Sequence, residues 1–396
     1  MSTPVQFALT AVPAAAARTG SAARRGRLAT AHGVVETPHF MPVATLGAIK
    51  GAAWSDLAAI QATLRTAHLP VTDLQVLMNA FHLTFRPGHE AIARVGGLHR
   101  FTGWSGPILT DSGGFQVYSL EGLRKVTDEG AQFRSPYDES PRFFTPEHVM
   151  EIEAALGPDI AMQFDHCPPA LDDSALVAAA MRRSAAWGDR CLTRWHAVRQ
   201  PHQALFGICQ GGVSRELRLE SAQRIAAQAF DGYAIGGLSV GETQVQMFEM
   251  LDAVLPVLPA DKCRYLMGVG TPEDILGAVE RGVDLFDCVM PTRSARHGLL
   301  FTWQGKLRIR NARHKDADEP IDSNCGCATC RRHSRAYLRH LHMTKEINAV
   351  LLLTVHNLFF YQELLARIRA ALETGDFGAK KAAWLARLTV EESDGR

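Results

Sequence analysis

Seven short, mostly apolar runs, each closed within a few residues by Gly, Asp or Pro, alternate along this chain with longer stretches of helical periodicity. The runs are Leu74–Met78, Pro107–Leu109, Asp159–Phe164, Ala204–Ile208, Gly232–Ile235, Arg264–Met267 and Val283–Phe286. Between them, Pro146–Ala155, Asp173–Val198, Glu216–Ala229 and Glu242–Val257 carry apolar residues at three- and four-residue spacing. Strands separated by helices pair in parallel, which predicts a parallel α/β sheet. The unusual residues then choose its shape. Asp111-Ser112-Gly113-Gly114-Phe115-Gln116, Asp165-His166-Cys167-Pro168, Cys209-Gln210-Gly211-Gly212, Gly236-Gly237-Leu238, Gly268-Val269-Gly270 and Asp287 all fall just past strand ends. Six furnished strand ends on one face fit a (β/α) barrel, whereas an open doubly wound sheet places its site at one switch point.

The chain has 396 residues, 46% hydrophobic and 21% charged, which excludes a disordered or collagen-like polymer. Ile347–Gln362 carries no charge but is shorter than the roughly 20 apolar residues of a bilayer helix, and Asn348, His356 and Asn357 interrupt it. It reads as a buried helix, with no membrane partner. The Ala-rich stretch Ala11–Ala17 lacks the basic flank of a signal peptide, since the first cation is Arg18, so a cytoplasmic protein is expected. Net charge is only +1, yet Arg293–Lys345 holds twelve Lys/Arg against four Asp/Glu. Such a local excess is the footprint of an anionic partner such as nucleic acid, or simply a solvated charged face.

Eight cysteines are too dilute for a disulfide scaffold, but Cys325, Cys327 and Cys330 are clustered as C-x-C-x-x-C. With His356 they make a Cys3His set suited to tetrahedral Zn2+, a closed and therefore structural site. His333, His340 and His342 compete for the fourth place; His356 is preferred because it lies in an apolar stretch while they sit among arginines.

The glycine-rich turns Gly207–Gly212 and Gly236–Gly241 lack the Lys-Ser/Thr of a P-loop and the dinucleotide spacing, so no organic cofactor is expected. Glycines there would instead let backbone groups approach a planar ligand. Thr271-Pro272-Glu273-Asp274 reads as a helix start, with Thr271 as N-cap, Pro272 at the first position and Asp274 completing a capping box. Asp111, Asp165 and Asp287 each follow an apolar strand. One such aspartate is ordinarily a strand-end cap, but three on one face can form a glycosidic site with a nucleophile and an acid/base.

Asp111-Ser-Gly-Gly-Phe-Gln116, Gly207-Ile-Cys-Gln-Gly-Gly212, Ile235-Gly-Gly-Leu-Ser-Val-Gly-Glu242, Tyr265-Leu-Met-Gly-Val-Gly270 and Leu285-Phe-Asp-Cys-Val-Met-Pro-Thr-Arg293, with the Cys3His set, resemble the tRNA-guanine transglycosylases over roughly residues 37–362. The resemblance implies a (β/α)8 TIM barrel with an inserted zinc-binding subdomain near the C-terminus. The units would be 1–36, an extension with small β elements; 37–307, the barrel; 308–362, the zinc subdomain and its helix; and 363–396, a helical end. It also implies exchange of guanine at the wobble position of GUN-anticodon tRNAs (Asp, Asn, His, Tyr) for the queuosine precursor preQ1, by an enzyme that is a homodimer.

By the same resemblance Asp287 is the nucleophile on ribose C1′ and Asp111 the proton donor and acceptor. The base pocket comprises Asp111, Ser112, Gly113, Gly114, Phe115, Asp165, Gln210, Gly237, Leu238 and Met267. In it Asp165 accepts from the base, Gln210 and the Gly237 N–H address O6, and Phe115 and Met267 sandwich the ring. RNA contacts fall to Gly268, Val269, Gly270, Thr271, Pro272, Glu273 and Asp274, and to Thr292, Arg293, Ser294, Ala295 and Arg296. His166 stands where the family usually has an acid, and Asn79-Ala80-Phe81-His82 where it has Asn-Thr-Tyr-His. Val240 and Cys167 match the bacterial branch, which uses preQ1 rather than queuine. Two rival readings are a non-catalytic tRNA-binding subunit and a nucleoside hydrolase. The first conflicts with retention of Asp111 and Asp287, the second with the basic segment.

Overall fold

Eight parallel strands, one more than the sequence rhythm reveals, form the central sheet of the computed structural model. The structure describes residues 4–11, 21–114, 116, 124–135, 137–168 and 174–392. In chain order the barrel strands are β1 (His39–Pro42), β2 (Val76–Asn79), β3 (Ile108–Asp111), β4 (Ile160–Met162), β5 (Ala204–Cys209), β6 (Gly232–Ile235), β7 (Cys263–Leu266) and β8 (Leu285–Cys288). From β2 to β8 each strand pairs with its sequence neighbour, and β8 pairs with β1 through Leu285–His39 to Cys288–Pro42. Between β1 and β2 the ring is drawn together by a bridge of Val43 to Leu77 and a 2.7 Å hydrogen bond from Ala44 N–H to Leu77 O. β1 is the strand missing from the seven apolar runs. Its four residues are fully buried but too short, and too closely flanked by proline, to stand out as a run.

Period-two alternation sorts the barrel side chains. Met41, Leu77, Leu109, Met162, Phe206, Ile208, Ala234, Tyr265 and Leu285 share an interior cluster, while their neighbours pack outward against the helices. Leu28 and Val35 join that interior cluster from an antiparallel sheet of Gln6–Ala11, Arg25–Thr30 and Gly33–Thr37, which covers the N-terminal end of the barrel. Val34 N–H donates to Asp73 and His32 meets Asp159 at 2.8 Å, tying that sheet to the strand starts. A second small antiparallel sheet, Arg124–Val126, Ala131–Arg134 and Pro141–Phe144, is inserted between β3 and β4. The residues expected to resemble a signal core, Ala11–Ala17, lie almost entirely outside the described residues.

The apolar C-terminal stretch is one helix, Ile347–Thr374, buried along most of its length. It passes without a break through the boundary expected after residue 362, and it serves as the helix of the eighth barrel unit. Gln362 Nε2 donates to Phe40 O at 2.9 Å, and the buried Arg369 reaches Pro38 O and Pro70 O. Before it come the hairpin Leu299–Thr302 and Gly305–Arg308, the cysteine loop and the helix Arg335–Met343.

Candidate active site

The alternation that fills the barrel also fixes its mouth. Asn79, Asp111, Gln210, Gly236, Met267 and Asp287 each lie two residues past an interior apolar residue, so they continue the inward stripe where the strands end. Together with Asp165, Cys167, Leu238, Val240 and Tyr265 they line a cavity of about 440 Å³. Asp287 is the third residue of β8 rather than a residue after it, and Asp111 closes β3. The three aspartates expected to converge do so.

Asp287 Oδ1 accepts from the Tyr265 hydroxyl at 2.6 Å and from Gly268 N–H at 2.7 Å. Among the described residues both hydrogen bonds to this carboxylate fall on that one oxygen. Burial raises its pKa, and the two donors pull the other way. Asp111 Oδ2 accepts from Asn79 Nδ2 at 2.7 Å, while Asn79 Oδ1 accepts from His82 N–H, so the amide has one sensible orientation. Burial first, then the nearby charges of Asp165 and Asp287, lift Asp111 to about 7. Asp165 Oδ2 accepts from Gln210 Nε2 at 2.6 Å, and burial raises Asp165 to about 6. Asp111 and Asp165 are therefore poised to hold or yield a proton near neutrality.

The surrounding loops admit only small residues at two points. A Cβ on Gly114 would collide with Asp165 Oδ1, and Gly237, at φ 63°, faces Gln210 Oε1 where any side chain would sit. Ser112 Oγ donates to Gln163 O at 2.8 Å, and Gly113 adopts φ 103°, so the segment after β3 folds back toward β4. Phe115 lies outside the described residues. His166 does not line the cavity, and Arg183 bridges it to Asp128. The acid of that pair thus comes from another part of the chain.

Around the mouth, Val269, Gly270, Pro272, Thr292 and Ala295 are buried, which leaves Gly268 and Arg293 exposed and Thr271, Glu273, Asp274, Ser294 and Arg296 half-buried. Arg293 also borders the cavity. Thr271 caps its helix by accepting from Asp274 N–H, but the reciprocal half of the expected capping box is not made. The Asp274 carboxylate instead accepts from Gln244 Nε2 at 2.6 Å, an acceptor's better use of an exposed oxygen than a second local contact.

Cys325, Cys327 and Cys330 place their Sγ atoms 3.7, 3.6 and 3.3 Å from His356 Nδ1. Tetrahedral zinc, with Zn–S about 2.3 Å and Zn–N about 2.0–2.1 Å, requires S···N edges of about 3.5 Å. The group therefore fits a zinc site. His356 Nε2 is 2.9 Å from Phe301 O, which makes it the protonated nitrogen and turns the Nδ1 lone pair to the thiols. All four residues are buried. His333, by contrast, stacks on Tyr337, away from the cluster.

The strand-end motifs, the three acids and the Cys3His set coincide with a family model described as queuine tRNA-ribosyltransferase, which matches residues 19–389. The chain belongs to this family of transferases. Its queuine tRNA-ribosyltransferase relatives include one from Nitrosomonas europaea, 52% identical over 90% of this chain and 92% of its own length. One from Desulforamulus reducens is 51% identical over 88% and 91%, and one from Solidesulfovibrio magneticus 48% over 91% and 93%.

Two polar residues that touch the acids stand in the quoted motifs without a role assigned from the sequence. Tyr265 is legible in hindsight as an inward position of β7 bearing a hydroxyl, and Asn79 as the inward end of β2.

Proposed function

We propose that this enzyme exchanges guanine at the wobble position of GUN-anticodon tRNAs (Asp, Asn, His, Tyr) for preQ1. The observation that carries the reading is the pairing of a tethered Asp287 with an Asp111 held near 7 across one cavity. Asp287 Oδ2, the oxygen without the two donors, attacks ribose C1′ as the bond from C1′ to the base nitrogen breaks. The departing guanine takes a proton from Asp111. In the second half, preQ1 yields its proton to Asp111 and displaces Asp287, so configuration at C1′ is retained. The wobble nucleotide leaves the anticodon stack to reach the cavity, a cost of a few kcal/mol that is least in a single-stranded loop.

Asp165 accepts from the ring N–H and exocyclic amine, and Gln210, through its second N–H, and Gly237 N–H donate to O6. Ser112, Gly113, Gly114 and Leu238 complete the wall, and Phe115 and Met267 enclose the ring faces. Gly268–Asp274 and Thr292–Arg296 meet the RNA. One structural zinc is held by Cys325, Cys327, Cys330 and His356, where it braces the chain and takes no part in the exchange. A cytoplasmic homodimer is the working form.

Incubation with labelled guanine and an unmodified GUN-anticodon tRNA tests the activity: label should enter the tRNA. Asp287→Asn should bind tRNA but lose exchange. A covalent tRNA adduct that survives denaturation as readily with Asp287→Asn as with the wild type would sink the nucleophile assignment.

A further inference from the structure

Arg218, in the helix Arg215–Ala226 that follows β5, is fully buried and, among the described residues, has no carboxylate within ion-pair distance. A buried guanidinium is costly unless its donors are filled. Here every acceptor is a backbone carbonyl of the two glycine-rich strand ends beside the cavity. Nε donates to Gly212 O at 2.8 Å, Nη1 to Cys209 O at 3.2 Å and Gly236 O at 2.7 Å, and Nη2 to Gly237 O at 2.9 Å. The end of β5 and the end of β6 are thereby tied to one rigid planar group.

The consequence lies in peptide geometry. In a trans peptide the C=O and N–H point in opposite directions, so anchoring Gly236 O on the guanidinium turns the N–H of the same peptide, that of Gly237, away from it. Among the described residues that N–H has no acceptor within the protein. Gly236 and Gly237 both line the cavity. We infer that Arg218 is a positioning residue for base recognition, which presets the Gly237 N–H toward the 6-oxo group of the bound base. This rests on the reading of Gly237 as the donor to O6. Lysine could keep the charge but not the fork, because its single nitrogen cannot span four carbonyls on two loops.

The test measures binding of guanine and 6-thioguanine, whose sulfur is a weaker acceptor, to the full-length, metal-loaded protein by calorimetry. The wild type should prefer guanine by about tenfold, the summed weakening of the two donors' hydrogen bonds when sulfur replaces O6. Arg218→Lys should remove the Gly237 share and compress that ratio to about threefold, the Gln210 donor being kept by Asp165, while leaving tRNA affinity within about twofold of the wild type. Arg218→Gln, a planar amide with two N–H donors, should give an intermediate ratio and serves if the lysine variant does not fold. A wild type without preference would remove the donor reading itself. A wild-type preference that persists in full in the folded variants would overturn the role of Arg218 alone. Loss of the native fold in both would assign Arg218 to stability and overturn it as well.

Discussion

Tyr265 and Asp287, on adjacent strands of the barrel, are joined by a hydrogen bond of 2.6 Å that takes up the same carboxylate oxygen as Gly268 N–H. The two donors stabilise the ionised carboxylate against burial and leave the second oxygen free, the one proposed as the nucleophile. In Tyr265→Phe the pKa of Asp287 should rise further. Formation of the covalent tRNA adduct in a single turnover should slow by about ten- to a hundredfold, the worth of a hydrogen bond to a charged group, and its acid limb should move to higher pH. An unaltered rate across pH would show that Gly268 alone suffices.

Asp111 sets the opposite limb. In the proposed exchange its first task requires the proton, so adduct formation should decline as pH rises through about 7. The same shift bears on stability. Because the folded-state pKa is raised above the ordinary 3.8, the favourable contribution is complete below about pH 4 and is lost as pH climbs through about 7. At pH 8 the ionised, buried carboxylate costs on the order of 4 kcal/mol. Asp111→Asn should therefore abolish exchange yet raise Tm at pH 8, with little gain at pH 4. A variant less stable at both pH values would refute this.

Removal of metal by a chelator should loosen the cysteine loop while most of the barrel holds. Structural zinc contributes on the order of 10 kcal/mol in small peptide systems, and here three of four ligands lie within one six-residue span. Hydrogen exchange should accelerate around Cys325–Cys330 far more than in β4–β6. Fully active protein that contains no zinc would contradict the assignment.

Arg293 and Arg296 stand on the short helix Met290–Arg296 beside the cavity mouth. Arg296 is partly buried, its Nη1 has no partner among the described residues, and both burial and Arg293 lower its pKa, a setting that a phosphate would relieve. Replacing either by Ala should weaken tRNA binding and reduce the slope of log K against log salt by roughly one. Unchanged affinity in both would move the RNA path elsewhere.

Val240 lines the cavity, as does Cys167, and its N–H is fixed by Glu242 Oε2 at 3.1 Å. A base with a bulkier 7-substituent than preQ1, such as queuine, must displace the valine, and overpacking costs about 1–3 kcal/mol. Val240→Gly should raise queuine use without abolishing preQ1 use. Competition between the two bases is the measurement, and wild-type preference for queuine would reverse the expected order.

Much of this site could be read from the chain because strand ends in a barrel collect their residues by a simple two-residue alternation. Asp111, Asp165, Gln210 and Asp287 all announce themselves after apolar runs, and the cysteine spacing points to metal without any fold. What stayed hidden depended on distance. Strand β1 is legible only once β8 is there to pair with it. Arg218 looks like an ordinary residue of a polar helix until the loops of β5 and β6 fold over it, and the acceptor for His166's neighbour Arg183 is the carboxylate of Asp128, fifty-five residues away. Three-residue strands such as Arg124–Val126 carry too few side chains to show a period.

The helix Ile347–Thr374 behaves as a ruler. Within two turns it sets His356 against the thiols, Asn357 against Pro291 O and Leu299 O, Tyr361 against Gly270 O and Gln362 against Phe40 O. An added residue between His356 and Tyr361 would rotate everything beyond it by about 100° and advance it by about 1.5 Å. The metal end and the barrel end could then no longer be satisfied together. Side chains along this stretch can vary with their neighbours, but the number of residues between the two ends cannot.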